Sequence, residues 1–100
     1  MLSELQYKVI GLIGVEAVVG RELRKMLAAD GVKKSGPAFY QLTARMEEAG
    51  LIESSLSAKL IDGIPLKEKT YWVTGEGAKQ FKETRSDYKS KFIFGKGVFA

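Results

Sequence analysis

Apolar residues recur along this chain first at helical spacing, then in alternation, then at helical spacing again. In the first segment Leu5, Val9, Leu12 and Ile13 fall on one helical face. Ser3 and Gln6 form an S-x-x-Q capping box ahead of that stripe, and Leu2 and Tyr7 are placed for a hydrophobic staple. The helix is expected to end near Gly14. Val15 to Val19 is β-branched and too short for a helix, so it reads as an extended connector or a minor edge strand. A second helix, Arg21 to Ala29 behind a Gly20 cap, turns Leu23, Met26 and Leu27 inward and Arg21, Arg24 and Lys25 outward. Asp30-Gly31 stops it, and a short turn from Val32 to Ser35 carries Lys33 and Lys34.

The third helix is the most informative. Phe39, Leu42, Met46 and Ala49 are spaced three, four and three residues apart, which places them on one face. Pro37 suits the first helical position and Gly50 the left-handed position after the last turn. The opposite face carries Gln41, Ala44 and Glu48, with Tyr40 and Arg45 on its flanks, and its N-terminal half bears no acidic group. Leu51 to Ser57 then reads as a strand and Lys67 to Val73 as its antiparallel partner. Ala58 to Leu66, with Asp62-Gly63 and Pro65, is expected to form a long tip bearing Lys59. Alternation puts Tyr71 and Val73 on one face of the second strand, and Thr70 and Trp72 on the other. Thr74 is the expected N-cap of a fourth helix running to Lys89 or Lys91, with Ala78, Phe81, Tyr88 and Phe92 as its apolar stripe. Residues 92–100, interrupted by Gly95 and Gly97, are expected to form a loosely ordered tail.

At 100 residues and 45% hydrophobic, the chain is expected to be one domain, residues 1–91, whose C-terminal helix spans about 75–91. With neither Cys nor His, it lacks the commonest general base, the usual metal ligands and the thiol nucleophile. No enzyme, metal site or cofactor is therefore expected. The net charge of +4 fits an anionic partner. Its distribution is uneven: residues 1–20 sum to −1, 21–50 to +2, 51–74 to zero and 75–100 to +3. No apolar run approaches the roughly 20 residues that span a bilayer, and the start, Met-Leu-Ser-Glu-Leu, has no basic region of a secretory signal. A soluble cytoplasmic protein is expected.

Helix, short extended piece, helix, turn, helix, hairpin, helix is the order of a winged helix-turn-helix. The expected fold is thus α+β, mainly α, with a three-helix core, a two-stranded β-hairpin wing and a C-terminal helix. In such a unit the third helix enters the major groove of double-stranded DNA. Tyr40-Gln-Leu-Thr-Ala-Arg-Met-Glu-Glu-Ala-Gly-Leu-Ile-Glu resembles the corresponding segment of the PadR-type transcriptional regulators. Tyr71-Trp-Val-Thr-Gly-Glu-Gly resembles their Tyr-x-Leu-Thr-x-x-Gly at the wing exit, and Gly20-Arg-Glu-Leu their second-helix start. MarR-type regulators share part of this pattern. The resemblance implies a homodimeric regulator, a repressor, reading a pseudo-palindromic site. The chain departs from the family in two ways. Residues 75–100 are short for the family's long C-terminal dimerisation region, and Thr43 stands where an apolar residue is usual. If Thr43 faces the core, its hydroxyl needs a backbone partner.

The candidate base-reading residues are Ser35, Ala38, Tyr40 and Gln41, with Ala44 beside them, and the candidate phosphate contacts are Lys33, Lys34, Arg45 and Lys59. Each has a plainer alternative. Tyr40 can close the core with Phe39, Ser35 can be a turn residue, and Arg45 can pair with Glu47 or Glu48 on its own helix. Ala78, Phe81, Tyr88 and Phe92 are the candidate dimer seam, the alternative being a helix folded back on its own core. Any small-molecule effector would sit between subunits near the first and fourth helices, and its identity is unknown. The rival to DNA binding is a winged-helix module that assembles with other proteins.

Overall fold

Ser3 starts the first helix as its capping box requires: its hydroxyl accepts from the Gln6 N–H at 3.1 Å, and the Gln6 side chain accepts from the Ser3 N–H at 3.0 Å. The computed structural model describes residues 1–96, with side chains as far as Asp87. The elements are α1 (Glu4–Ile13), β1 (Val18–Val19), α2 (Gly20–Ala29), α3 (Gly36–Glu48), β2 (Ile52–Ile61), β3 (Ile64–Val73) and α4 (Gly75–Lys96). This is a winged helix-turn-helix of α+β class. The sheet has the order β1-β3-β2, all antiparallel. Among the described residues no helix is long and apolar enough to cross a membrane.

The core joins Val9, Ile10 and Ile13 of α1, Leu23 and Leu27 of α2, Phe39 and Met46 of α3, and Leu51, Ile52 and Tyr71 at the root of the hairpin. Three expectations about local structure change here. Gly20 is not the cap of α2 but its first residue, and the cap position is Val19, which makes no side-chain capping bond. The reason for glycine is space: a Cβ at position 20 would lie 3.0 Å from the Tyr71 ring and 3.4 Å from the Lys69 carbonyl oxygen. The buried line of α3 is Phe39, Thr43 and Met46, with Leu42 half-buried. Ala49 is exposed at the C-cap. Gly50, at φ 75°, takes the left-handed position after it.

The third change is the hairpin. It has no long tip: β2 and β3 pair continuously from Ile52↔Val73 to Ile61↔Ile64. Asp62 and Gly63, at φ 52° and 78°, close it with two residues of positive φ, the signature of a type I′ turn. Pro65 misleads a sequence reading because it cannot donate to a ladder. Its register explains why it is tolerated. Pro65 faces Leu60, one pair in from the turn, so its nitrogen points away from β2. On that side β1 pairs only with Tyr71 and Thr70, leaving the edge open.

Thr74 ties the wing to α4. Its hydroxyl donates to the Gly50 carbonyl at 2.6 Å and the Leu51 carbonyl at 3.0 Å, and accepts from the Gly77 N–H at 3.0 Å, capping the helix. Gly77 is obligatory there, because a Cβ would lie 2.1 Å from the Leu51 carbonyl oxygen. Farther along, the Thr84 hydroxyl is fully buried and accepts from the Leu2 N–H at 3.1 Å. The helix runs to Lys96, beyond its expected end at Lys89 or Lys91. The rest of the expected tail, 97–100, lies outside the described residues.

Candidate nucleic-acid interface

Ser35 caps α3, its hydroxyl accepting from the Ala38 N–H at 3.2 Å. With that N–H engaged and Pro37 lacking one, the helix start has few free backbone donors for an anion. Its attraction for phosphate must come from side chains. Tyr40, Gln41, Ala44, Arg45 and Glu48 are all exposed and form one continuous face of α3. Ala38 is half-buried at the edge of that face. Arg45 makes no ion pair among the described residues. Of the two alternative partners on its own helix, Glu47 and Glu48, Glu47 turns to the wing instead, accepting from the Ser54 hydroxyl and pairing with Lys69 at 3.4 Å.

Tyr40 is 53% exposed, and its ring stands edge-on to Phe39 at 5.7 Å. Phe39 is buried and meets Tyr71 edge-on at 6.3 Å. Phe39 thus fills the core, leaving Tyr40 outside. Thr43 supplies the partner its burial demands, donating to the Tyr40 carbonyl at 3.2 Å. That uses the hydroxyl's one proton, so the Tyr71 phenol is the donor in the 3.2 Å bond between the two side chains. Burial raises the Tyr71 phenol above its ordinary value of 10.0, which keeps it protonated as that bond requires. The orientation of the exposed face of α3 is therefore fixed from beneath by the wing's own tyrosine.

The basic groups are arranged differently from the sequence expectation. Lys33 and Lys34 lie in the turn before α3 and have no ion pair among the described residues, as a phosphate contact would need. Lys59 is not at a basic tip. It sits opposite Leu66 and pairs at 3.4 Å with Glu68, a largely buried carboxylate that also pairs with Arg21 at 3.4 Å. The tip itself is apolar, with Leu60, Ile61 and Ile64 at 76%, 44% and 61% exposure. A sequence reading misses that the α2 face and the wing root enclose one crevice with the turn before α3. The crevice holds about 470 Å³, and Arg21, Arg24, Lys25, Lys67, Lys69 and the acidic Glu68 join Lys33, Lys34 and Tyr40 around it. The available signal was Arg21-x-x-Arg24-Lys25, whose period places all three on one side of α2.

Of the candidate dimer residues, Ala78 is exposed, while Phe81 is half-buried in its own chain. Phe81 stacks on Tyr7 at 4.5 Å and 11°, and a Cβ at Gly11 would come within 3.3 Å of its ring. The side chains of Tyr88 and Phe92 lie outside the described residues. A second crevice, of about 480 Å³, lies between the end of α1, the wing root and α4, with Phe81 and Arg85 among its walls.

No protein-family model matches the sequence, and no curated protein matches it. Solved structures do. A PadR-like transcriptional regulator from Bacillus cereus is 26% identical, with a TM-score of 0.72 over 95% of this chain and 90% of its own. A PadR family transcriptional regulator from Eggerthella lenta is 27% identical, with a TM-score of 0.70 over 86% of this chain and 72% of its own. Bacillus subtilis PadR in complex with operator DNA is 17% identical, with a TM-score of 0.66 over 83% of this chain and 47% of its own.

Proposed function

The chain is structurally homologous to the PadR-type winged helix-turn-helix transcriptional regulators, and from that premise we propose that it is a sequence-specific DNA-binding regulator. In this reading it acts in the cytoplasm as a homodimeric repressor on a pseudo-palindromic site, with half-sites about one helical turn apart. The observation that carries it is the exposed face of α3, whose N-terminal half bears Tyr40, Gln41 and Ala44 with no acidic group and leads to Arg45, with Lys33 and Lys34 before it making no ion pair among the described residues. Tyr40, Gln41 and Ala44 read base edges, with Gln41 suited to adenine. Ser35 and Ala38 hold the cap beside them. Lys33, Lys34 and Arg45 bind phosphates, and Lys59 joins them by exchanging Glu68 for a phosphate. A PadR solved with its operator DNA has the same fold. The dimer forms through exposed positions of α4 such as Ala78, with Tyr88 and Phe92 beyond it.

Binding to a duplex should weaken steeply with salt. Replacing Lys33 and Lys34 together by Gln should flatten the slope of log K against log salt by about two, with the melting temperature unchanged. One observation favours the rival reading as a protein-assembly module: the wing tip is apolar where a phosphate contact would be basic. A folded protein that fails to shift any duplex at low salt would transfer the assignment to that reading.

A further inference from the structure

The crevice between α2 and the wing root has more than a phosphate contact requires. Arg24 is part of its wall. Its Nε donates to the Lys34 carbonyl at 2.9 Å, and a terminal nitrogen lies 3.8 Å from where a Cβ at Gly36 would be. The guanidinium is thus held at the start of α3 with no carboxylate beside it among the described residues. Its outer donors remain free for a bidentate acceptor. Around it, Arg21, Lys25 and Lys69 are engaged by Glu68, Glu22 and Glu47, whereas Lys33, Lys34 and Lys67 have no ion pair among the described residues. The rest of the lining is an apolar floor of half-buried Val19 and Ala28 with the exposed Tyr40, together with the Glu68 carboxylate, which Arg21 and Lys59 already engage.

Duplex DNA uses only the upper part of such a site. Its phosphates can meet the cations, but its bases are stacked and paired and cannot reach an apolar floor behind them. The volume of about 470 Å³ lies within the range of small-ligand sites. A triphosphate carries about four negative charges at neutral pH, which matches Arg24, Lys33, Lys34 and Lys67. We infer that the crevice binds a free nucleoside triphosphate, its phosphates on the Arg24 fork and its base on the floor beside Tyr40, and that this ligand competes with DNA. The competition rests on the DNA-binding reading; the ligand site does not.

The test is calorimetric titration of the full chain with ATP, tripolyphosphate and adenosine, without metal and at low salt, beside a gel shift of duplex DNA with and without ATP. ATP should bind saturably, with tripolyphosphate and adenosine each at least about tenfold weaker. Arg24→Gln should weaken ATP about tenfold or more, and Arg24→Lys should recover part of the loss because it restores the charge without the fork. Lys67→Gln tests the wing side of the site without touching the Arg24 hydrogen bond to the turn. Lys79→Gln, on the exposed surface of α4, should leave binding within about twofold of the parent. Tripolyphosphate as tight as ATP would remove the apolar floor from the site. Equal losses in Lys79→Gln and Arg24→Gln would reduce it to general charge attraction, and no saturable ATP binding overturns it outright. DNA binding without ATP binding would sink the ligand site and keep the DNA reading. ATP binding without any DNA shift would do the reverse.

Discussion

The two ends of the wing are made from the same pair of strands and held in opposite ways. At the root, Tyr71 is fully buried, fits against Gly20, meets Phe39 edge-on and donates to Thr43. Beside it Thr74 and Gly77 join the end of α3, the start of β2 and the start of α4. At the tip, Leu60, Ile61 and Ile64 touch solvent, and among the described residues the paired strands and the Asp62-Gly63 turn fix their position. The difference separates framework from working surface. The three segments that resemble the PadR-type regulators, at Gly20, in α3 and at Tyr71 to Gly77, meet one another at the root. Much of the resemblance is therefore a description of how the root closes. The groups free to meet a ligand are the ones the framework leaves over.

If that contrast holds, damage at the root should be severe and damage at the tip slight. Tyr71→Ala should cost about 3–5 kcal/mol, enough to leave a domain of this size largely unfolded, as a urea melt followed by circular dichroism would report. Gly77→Ala should cost about 3 kcal/mol, because the added carbon meets a backbone carbonyl that cannot yield as a side chain can. Tyr71→Phe is gentler, at about 1 kcal/mol for the lost bond to Thr43, and its effect depends on pH. The native chain holds the Tyr71 proton where the unfolded chain releases it, so this contribution is complete below pH 10.0 and is lost as pH rises through the higher folded value. Melts above pH 10 should therefore fall less steeply for Tyr71→Phe than for the parent. Leu60→Ser and Ile64→Ser at the tip should each change stability by less than about 0.5 kcal/mol. A large loss there would mean that the tip is held by contacts it does not make within one chain.

The fold was legible in the sequence wherever local chemistry decides it. The Ser3 capping box, the Thr74 cap and the stop at Gly50 are all satisfied by residues within a few positions, and the structure has each of them. The failures come from distant partners. Nothing near Gly20 shows that it yields space to Tyr71, fifty-one positions away. Thr43 sits on a buried line because a phenol from the wing and a carbonyl of its own helix together satisfy its hydroxyl. Pro65 suggested a loop, and only the short reach of β1 explains why it can lie in a strand. The interface was half legible for the same reason. The exposed residues of α3 follow from helical periodicity, whereas the crevice needs α2, the turn and β3 to be brought together, and Lys59 looks free until its partner Glu68 is placed.

In the proposed function the exposed face of α3 reads DNA while the root only holds it in place. Selecting bound sequences from a random duplex pool tests this most directly, with the parent chain, Gln41→Ala and Tyr71→Phe compared at a temperature where all three are folded. The parent should select a two-fold symmetric motif, Tyr71→Phe the same motif, and Gln41→Ala a motif with relaxed preference at one position of each half-site, equivalent to about 1–3 kcal/mol of lost discrimination. An unchanged motif with Gln41→Ala, or no enriched sequence from the folded parent, would contradict that function.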